Sequence, residues 1–268
     1  MKPGVWIAAL ALCLKCVAQQ PSSDPNEWVR QAIEHELQAE QQDTSHWKFR
    51  LRNQKSTGNF EVDEVVETAQ GDLKRPLIIN GRTLSAKESD QRMEKMLHDG
   101  DALAKSIKDK NDDTAKSQQL LKMLPDAFLF KYGKKNGELL ELSFSPNPKF
   151  KPPTREAEVF HAMVGNIWFD TKETRLQQIN GHLSHEVKFG EGILGHLDPG
   201  GVFHVKQTKV APGFWELTVL NVNMKGKALF FKTIDVQQKM SRSGFRKVAD
   251  QLSVQQGAAM LRRDSSQK

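Results

Sequence analysis

Between residues 158 and 236, apolar and polar side chains alternate repeatedly in segments that short turns separate. A period of two is typical of β-strands, because successive side chains point to opposite faces. Glycine-containing turns divide the stretch into expected strands at 175–183, 186–189, 202–208, 214–223 and 228–236. Gaps this short predict antiparallel neighbours, because a parallel crossover needs about a dozen residues or more.

An earlier strand of this stretch, ending near Phe169, is apolar on both faces. One face carries Val159, Met163, Ile167 and Phe169. The other face carries Phe160, Val164 and Trp168. A strand of this kind is covered on both sides, so the pattern predicts a central position in the sheet. We therefore expect an α+β fold around one curved antiparallel sheet, an unclosed half-barrel.

Residues 1–18 have the pattern of a secretion signal. Lys2 gives a basic start, residues 5–14 form an apolar run too short to span a bilayer, and Ala18 supplies a small residue for cleavage. Both cysteines lie inside this segment, so the mature chain would have no thiol for a disulfide or a metal site. We expect cleavage after Ala18 and a periplasmic or secreted protein.

Composition narrows the class of protein further. The chain of 268 residues is 38% hydrophobic and 27% charged, and no long apolar run follows the N-terminus, which predicts no transmembrane segment. Loss of Lys2 and Lys15 with the signal would lower the formal net charge from +6 to +4. The basic residues are spread along the chain, so nucleic acid is not an expected partner.

The N-terminal part predicts a helix followed by a first meander. Apolar residues recur at helical spacing from Pro25 to about Gln41, and strands are expected at 46–54, 60–68 and 76–79. Asn80 and Gly81 then form the strongest hairpin signal in the chain. The face of the helix that carries Trp28 and Ile33 is expected to pack on the sheet.

Residues 85–124 read as a helical insert that could act as a lid. Ser85 and Glu88 have the spacing of a capping box. The charged stretch that follows predicts a solvated helix, a mobile segment near Asn111 and a second helix docked through its leucines.

The remaining segments predict two strands, a connector and the boundaries of the domain. Two more strands are expected at 127–132 and 138–144, and a proline-rich connector at 145–156 leads into the main meander. Neither half has enough strands to cover a core alone, so we expect a single domain over 19–240. Residues 241–268 are expected to be a weakly structured tail with one helix at 254–261.

The sequence offers little sign of catalysis. Five histidines lie in the meander, but His182 and His185 would point to opposite faces of a strand, so no metal site or cofactor is expected. The glycines near residue 195 lack the Lys-Ser or Lys-Thr of a phosphate loop, and no Gly-x-Ser-x-Gly motif occurs. We therefore expect a protein that is not an enzyme, with an undetected hydrolase as an alternative.

The large apolar side chains exceed what one side of a flat sheet buries. A curved sheet with helices across its mouth could line a cavity with some of them. The candidates for such a ligand-binding cavity are Trp47, Phe49, Met163, Trp168, Phe203, Trp215, Met224 and Phe230.

The order of elements over residues 27–236 resembles that of two related groups of proteins. These are the periplasmic lipoprotein carriers (LolA-like proteins) and the N-terminal domain of the sigma-E regulator. The shared features are an expected export signal, an N-terminal helix, a long meander and inserted helices. Four short sequence motifs also resemble those of secreted proteins of Acidobacteria. They are Asn-Gly-Arg-Thr-Leu-Ser at 80–85, Leu-Pro-Asp-Ala-Phe at 124–128, Ser-Pro-Asn-Pro at 145–148 and Phe-Gly-Glu-Gly-Ile-Leu-Gly at 189–195.

The resemblance implies a periplasmic carrier or binding protein that holds a lipidated protein or other hydrophobic ligand without covalent chemistry. It also implies a basic residue near the cavity mouth, for which Arg50, Arg52 and Arg175 are all candidates. The alternative is a protein-interaction or envelope-stress sensing module that meets a membrane-bound partner through a sheet edge or the lysine-rich insert.

Overall fold

The computed structural model describes residues 22–55, 58–192, 194–228 and 232–265. These residues form an α+β fold dominated by antiparallel strands. The helices are α1 (Pro25–Gln42), α2 (Ala86–Leu97), α3 (Gly100–Ala127) and α4 (Val254–Ser265). The strands are β1 (His46–Lys55), β2 (Phe60–Thr68), β3 (Gly71–Ile79), β4 (Arg82–Thr83), β5 (Phe128–Asn136), β6 (Leu139–Pro146), β7 (Met163–Asp170), β8 (Arg175–Leu183), β9 (Val187–Phe189), β10 (Gly195–Leu197), β11 (Val202–Ala211), β12 (Phe214–Ala228) and β13 (Lys232–Val248).

All of these strands belong to one sheet that is not closed. Its order is β4-β3-β2-β1-β13-β12-β11-β8-β7-β6-β5, and β10 joins β12 to β9 beside this path. The last strand, β13, pairs with the first, β1, and so connects the first meander to the second. The prediction of one large antiparallel sheet is confirmed.

Local signals explain the element boundaries that the sequence predicted well. Ser85 and Glu88 make both hydrogen bonds of the capping box at the start of α2. Asn80 and Gly81 both have positive φ, 51° and 78°, as a tight two-residue hairpin between β3 and β4 requires. Strand β8 has the predicted bounds.

Two predictions of local structure were wrong. Val159 and Phe160 are not in a strand but in a 3₁₀ helix at Glu156–His161, which buries Ala157 and Phe160, three residues apart. Asn111 does not lie between two helices, because α3 runs through it without interruption. A bond from Lys105 to Asp109 supports this part of the helix.

The expected weakly structured tail is also wrong. Strand β13 continues past Val236 to Val248, and its second half pairs with β1 from Lys55 to His46. The helix expected at 254–261 is present as α4. Together with α2 it packs on β2 and β3, where Val66, Leu73, Met93 and other apolar residues form a separate core cluster. Residues 241–265 are therefore part of the domain.

Candidate functional site

Helix α1 and β5–β8 enclose the largest core cluster, called the first cluster here. The ring of Trp28 meets Phe169 edge to face at a centroid distance of 4.9 Å. Ile33 is almost completely buried beside them, and α3 adds apolar contacts through Leu120 and Leu124. This part of the sheet is a filled core.

A buried ion pair fixes α1 to the sheet. Arg175, the first residue of β8, donates to both carboxylate oxygens of Glu36 at 2.8 and 3.1 Å. The backbone N–H of Leu176 donates to the same carboxylate at 2.9 Å. Because both side chains are buried, loss of either one would leave an uncompensated charge. Of the three candidate arginines, Arg175 is the one that connects a helix to the sheet in this way.

The other end of α1 is fixed by Asn26. Its amide Nδ2 donates to the carbonyl of Phe128 at 2.7 Å, and its Oδ1 accepts from the N–H of Phe130 at 3.0 Å. These backbone groups belong to β5, the edge strand of the sheet. The side chain thus takes the place of a neighbouring strand and ties α1 to the sheet edge.

A second apolar cluster lies at the middle of the sheet, and every described member of it belongs to a strand. It contains the buried Trp47, Phe49, Leu51, Val65 and Met240 and the half-buried Val210, Ala211, Phe214, Leu217, Leu220 and Phe245. Trp47 packs edge to face on Phe214 at 5.7 Å, and Phe49 stacks on Phe245 at 5.3 Å. This set is called the second cluster.

The two clusters lie on the same side of the sheet. Leu220 and Val222 are two residues apart on β12, so their side chains point to the same face. Leu220 packs with the second cluster, whereas Val222 packs with the first. The clusters therefore form one apolar face, which α1 and α3 cover over the first cluster.

Ionisable groups surround the second cluster. Lys110 of α3 donates to Glu67 at 2.6 Å and lies 3.4 Å from Asp72, so it ties α3 to β2 and β3. Burial and, to a smaller extent, the neighbouring Glu67 carboxylate raise the pKa of Glu216 to about 7, against the opposing effect of Arg242. The protonation state of Glu216 therefore changes near neutral pH.

The structure separates the residues predicted to line one cavity. Trp47 and Phe49 belong to the second cluster, whereas Met163 and Phe203 are buried in the first and Met224 packs against it. These five side chains are all on the apolar face, but in two groups.

The other three predicted residues lie elsewhere. Trp215 is buried and its Nε1 donates to Glu173 at 2.8 Å. Trp168 is half-buried and, because it alternates with Ile167 and Phe169 of the first cluster, it points to the opposite face of the sheet. It therefore lies on the other face of the sheet from Met163 and Phe203. Phe230 lies outside the described residues.

Sequence reasoning missed Phe245, a member of the second cluster, and Arg242, which lies over one of its rings. Phe245 stacks on Phe49, and the guanidinium of Arg242 lies 5.2 Å from the same ring. Both had been assigned to the tail. The residues around them are mostly polar, so no local hydrophobic pattern marks them as part of a strand.

A cavity of about 300 Å³ borders the first cluster, and none of the eight predicted residues lines it. Its walls are Pro152, Glu158, His161, Ala162, His185, Glu186, Val187 and Lys188. The Ser184 hydroxyl donates to the carbonyl of Ala162 at 2.9 Å and lies 3.0 Å from Nδ1 of His185. Among the described residues, no three side chains of His, Cys, Asp or Glu are arranged to hold a metal ion.

Comparisons of the chain with protein-family models, curated proteins and solved structures found no match. The similarity to the lipoprotein carriers therefore stays a prediction. No helix in the described ranges is both long and apolar enough to cross a membrane.

Proposed function

We propose that the protein is a carrier or binding protein for a lipidated protein or another hydrophobic ligand, which it holds without covalent chemistry. The observation that carries the proposal is the second cluster, where the described members are all strand side chains and form an apolar surface with six half-buried members. Apolar surface that the protein leaves partly uncovered is typical of sites where a ligand or partner binds.

The arrangement of the helices supports the same proposal. Helix α1 is fixed at both ends, by Asn26 and Glu36, over the first cluster. Helix α3 reaches the side of the second cluster through Lys110, a half-exposed side chain. In the proposed mechanism the unclosed sheet is a half-barrel, α3 is the movable part of its lid, and an acyl chain lies against the second cluster.

The surrounding charges suit a ligand that has a polar end. Arg242 and Lys247 lie over the rings of Phe49 and Phe214, at 5.2 and 4.3 Å. An acyl chain on these rings would leave its polar end near the two cations. Binding by van der Waals contact with such a rim requires no cofactor and no catalytic group.

The proposed place of action is the periplasm. It rests on the expected signal at residues 1–18, which lie outside the described residues. The proposed partners are an acylated protein or lipid and a membrane-bound protein that exchanges it.

A binding experiment on purified mature protein tests the proposal. The protein is prepared from a bacterial periplasm, native mass spectra are recorded before and after organic extraction, and the extracted protein is titrated with a dansyl-labelled undecanoic acid. We expect a bound acyl species in the first spectrum and saturable binding of the probe.

Two matched variants locate the binding site. Leu220→Glu places a charge in the second cluster and should weaken probe binding by at least about tenfold, because an unpaired carboxylate is costly in apolar surroundings. Leu129→Glu, at a side chain that is 45% exposed on β5, should leave binding unchanged. Thermal unfolding checks that both variants fold, and Leu220→Ala replaces the glutamate variant if it does not.

If the native mass spectrum shows only the unliganded protein and the probe does not bind, the carrier proposal is contradicted and an interaction or sensing module is favoured. Equal binding by the two glutamate variants would show that the second cluster is not the site.

A further inference from the structure

The face of the sheet opposite the apolar face carries a straight row of polar side chains. Asn166 of β7 is paired with Asn180 of β8, Asn180 with His204 of β11, and His204 with Asn221 of β12. Directly paired residues of antiparallel strands have their side chains on the same face. These four residues are called the amide row.

The sequence neighbours of the amide row show which way it points. Ile167, Ile179, Phe203 and Val222 each adjoin a member of the row, and all four pack in or against the first cluster. Because adjacent strand residues point to opposite faces, the row points away from that cluster. The described contacts of α2 and α4 with the sheet are to β2 and β3, at a distance of several strands.

The amide row has no net charge at neutral pH. Three of its members are amides, and burial, together with the nearby Lys206, lowers the pKa of His204 below its usual value. Ser143 pairs with Asn166 at one end of the row, and Lys239 pairs with Asn221 at the other. The row is therefore an uncharged strip across four strands.

The row contains polar atoms that the protein does not satisfy. Asn180 Oδ1, His204 Nε2 and Asn221 Oδ1 are shielded from solvent and have no hydrogen-bond partner among the described residues. Asn166 does have one, since its Nδ2 donates to Glu141 Oε1 at 2.8 Å. Three unpaired polar atoms on consecutive strands are uncommon, because such groups normally have a partner.

An aromatic surface lies beside the row. Trp168, two residues from Asn166 on β7, points to the same face and is half-buried. Its strand partner there is Gln178. An indole ring offers an apolar face and a polar N–H edge to a ligand that has both kinds of group.

We propose that the amide row and Trp168 bind an uncharged polysaccharide chain. Hydroxyl groups donate and accept hydrogen bonds, so they can satisfy the unpaired oxygens and the imidazole nitrogen once the side chains turn toward them. The C–H face of a sugar ring packs on Trp168. Neighbouring strands lie about 4.8 Å apart, close to the length of one hexose unit, so successive sugars can meet successive strands.

Complementarity of charge favours this occupant over a nucleic acid or a phosphorylated ligand. Anions bind where several cations converge, whereas the four members of the row are neutral. The row also lies on the opposite face from the second cluster, so this site is separate from the proposed hydrophobic site.

A depletion experiment tests the proposal. Mature protein is mixed with insoluble cellulose, chitin and starch granules at low and at raised salt, and the protein left in solution is measured. We expect depletion by at least one polysaccharide, unchanged at raised salt and reversed by soluble oligosaccharides of the same sugar.

Variants assign the binding to the row. Trp168→Ala and the double variant Asn180→Ala, Asn221→Ala should each weaken binding by about tenfold, the effect of losing roughly 1.4 kcal/mol of contacts. Asn136→Ala, at an exposed amide where β5 ends, should bind like the wild type. If the double alanine variant does not fold, Asn180→Ser, Asn221→Ser replaces it.

Three results would overturn the proposal: no depletion by any of the polysaccharides, binding that is lost at raised salt, or row variants that bind like the wild type. Row variants that lower the melting temperature of a protein that binds no polysaccharide would show a purely structural role.

Discussion

The first cluster is closed by a helix, whereas the second cluster, as far as the described residues go, consists of strand side chains. Over the first, Trp28 and Ile33 of α1 fill the space above the sheet, and Glu36 locks the helix to Arg175. Over the second, the nearby helix α3 contributes a lysine and ionisable groups surround the rings. One continuous face is thus a sealed core at one end and an accessible apolar surface at the other.

This difference indicates where the molecule can open. Displacing α1 would expose several fully buried side chains and separate a buried ion pair. Displacing the middle of α3 would break the contacts of Lys110 and expose less apolar surface. A ligand therefore gains access most easily at the second cluster.

Glu36→Gln should have the largest effect on stability. It leaves the buried Arg175 without a counter-charge, so we expect a loss of about 3 to 5 kcal/mol in the free energy of unfolding, measured by urea titration. Glu34→Gln, at an exposed position of the same helix, should change it by less than about 0.5 kcal/mol. Similar losses in both variants would show that the ion pair does not hold α1.

Glu216 should make stability depend on pH. Its folded-state pKa, about 7, lies above the ordinary value of 4.5, so the folded protein holds this proton more tightly than the unfolded chain. The stabilisation that the bound proton gives to the folded state is complete below about pH 4.5 and is lost as the pH rises to about 7. Glu216→Gln should remove this slope, worth about 1 to 3 kcal/mol, in melting curves from pH 4 to 8. If the stability of the variant and of the wild type changes with pH in the same way, Glu216 is not the source of the pH dependence.

Lys110→Met should have the smallest effect on stability, and it should make the second cluster easier for a ligand to reach while the first cluster stays closed. The lysine is half-exposed, so we expect a loss of about 1 kcal/mol or less. With α3 released from Glu67, the acyl probe should bind several-fold faster in stopped-flow fluorescence.

The matched control for this variant is Lys105→Met. Lys105 pairs with Asp109 within α3, so its loss leaves the contact between α3 and the sheet intact. Equal rates for the two lysine variants would mean that α3 does not limit access to the second cluster.

Much of the local structure could be predicted because its signals are local. The capping box at Ser85 and the Asn80–Gly81 turn involve residues within a few positions of one another. The second half of β13 could not be predicted, because Ser241, Arg242 and Ser243 carry no apolar pattern. They pair with β1, which lies almost two hundred positions earlier in the sequence, and this pairing gives them a place in the sheet.

The candidate site shows the same limit. The sequence identified Trp47, Phe49, Met163 and Phe203 as large apolar residues that could line a cavity, and the structure buries all four. It could not show that they belong to two clusters, or that Trp168 faces the other way beside the amide row. Alternation states which residues of one strand share a face, but it does not relate the faces of different strands.

The sequence by itself determined the class of fold, most of the strands and helices, and the apolar residues that fill the core. Those features depend on backbone preferences and on the periodicity of short segments. Only the tertiary structure decided that β13 joins the two meanders, that Glu36 meets Arg175 and that four polar residues align across β7, β8, β11 and β12. Each of these depends on the order and register of strands distant in sequence, which long-range packing selects.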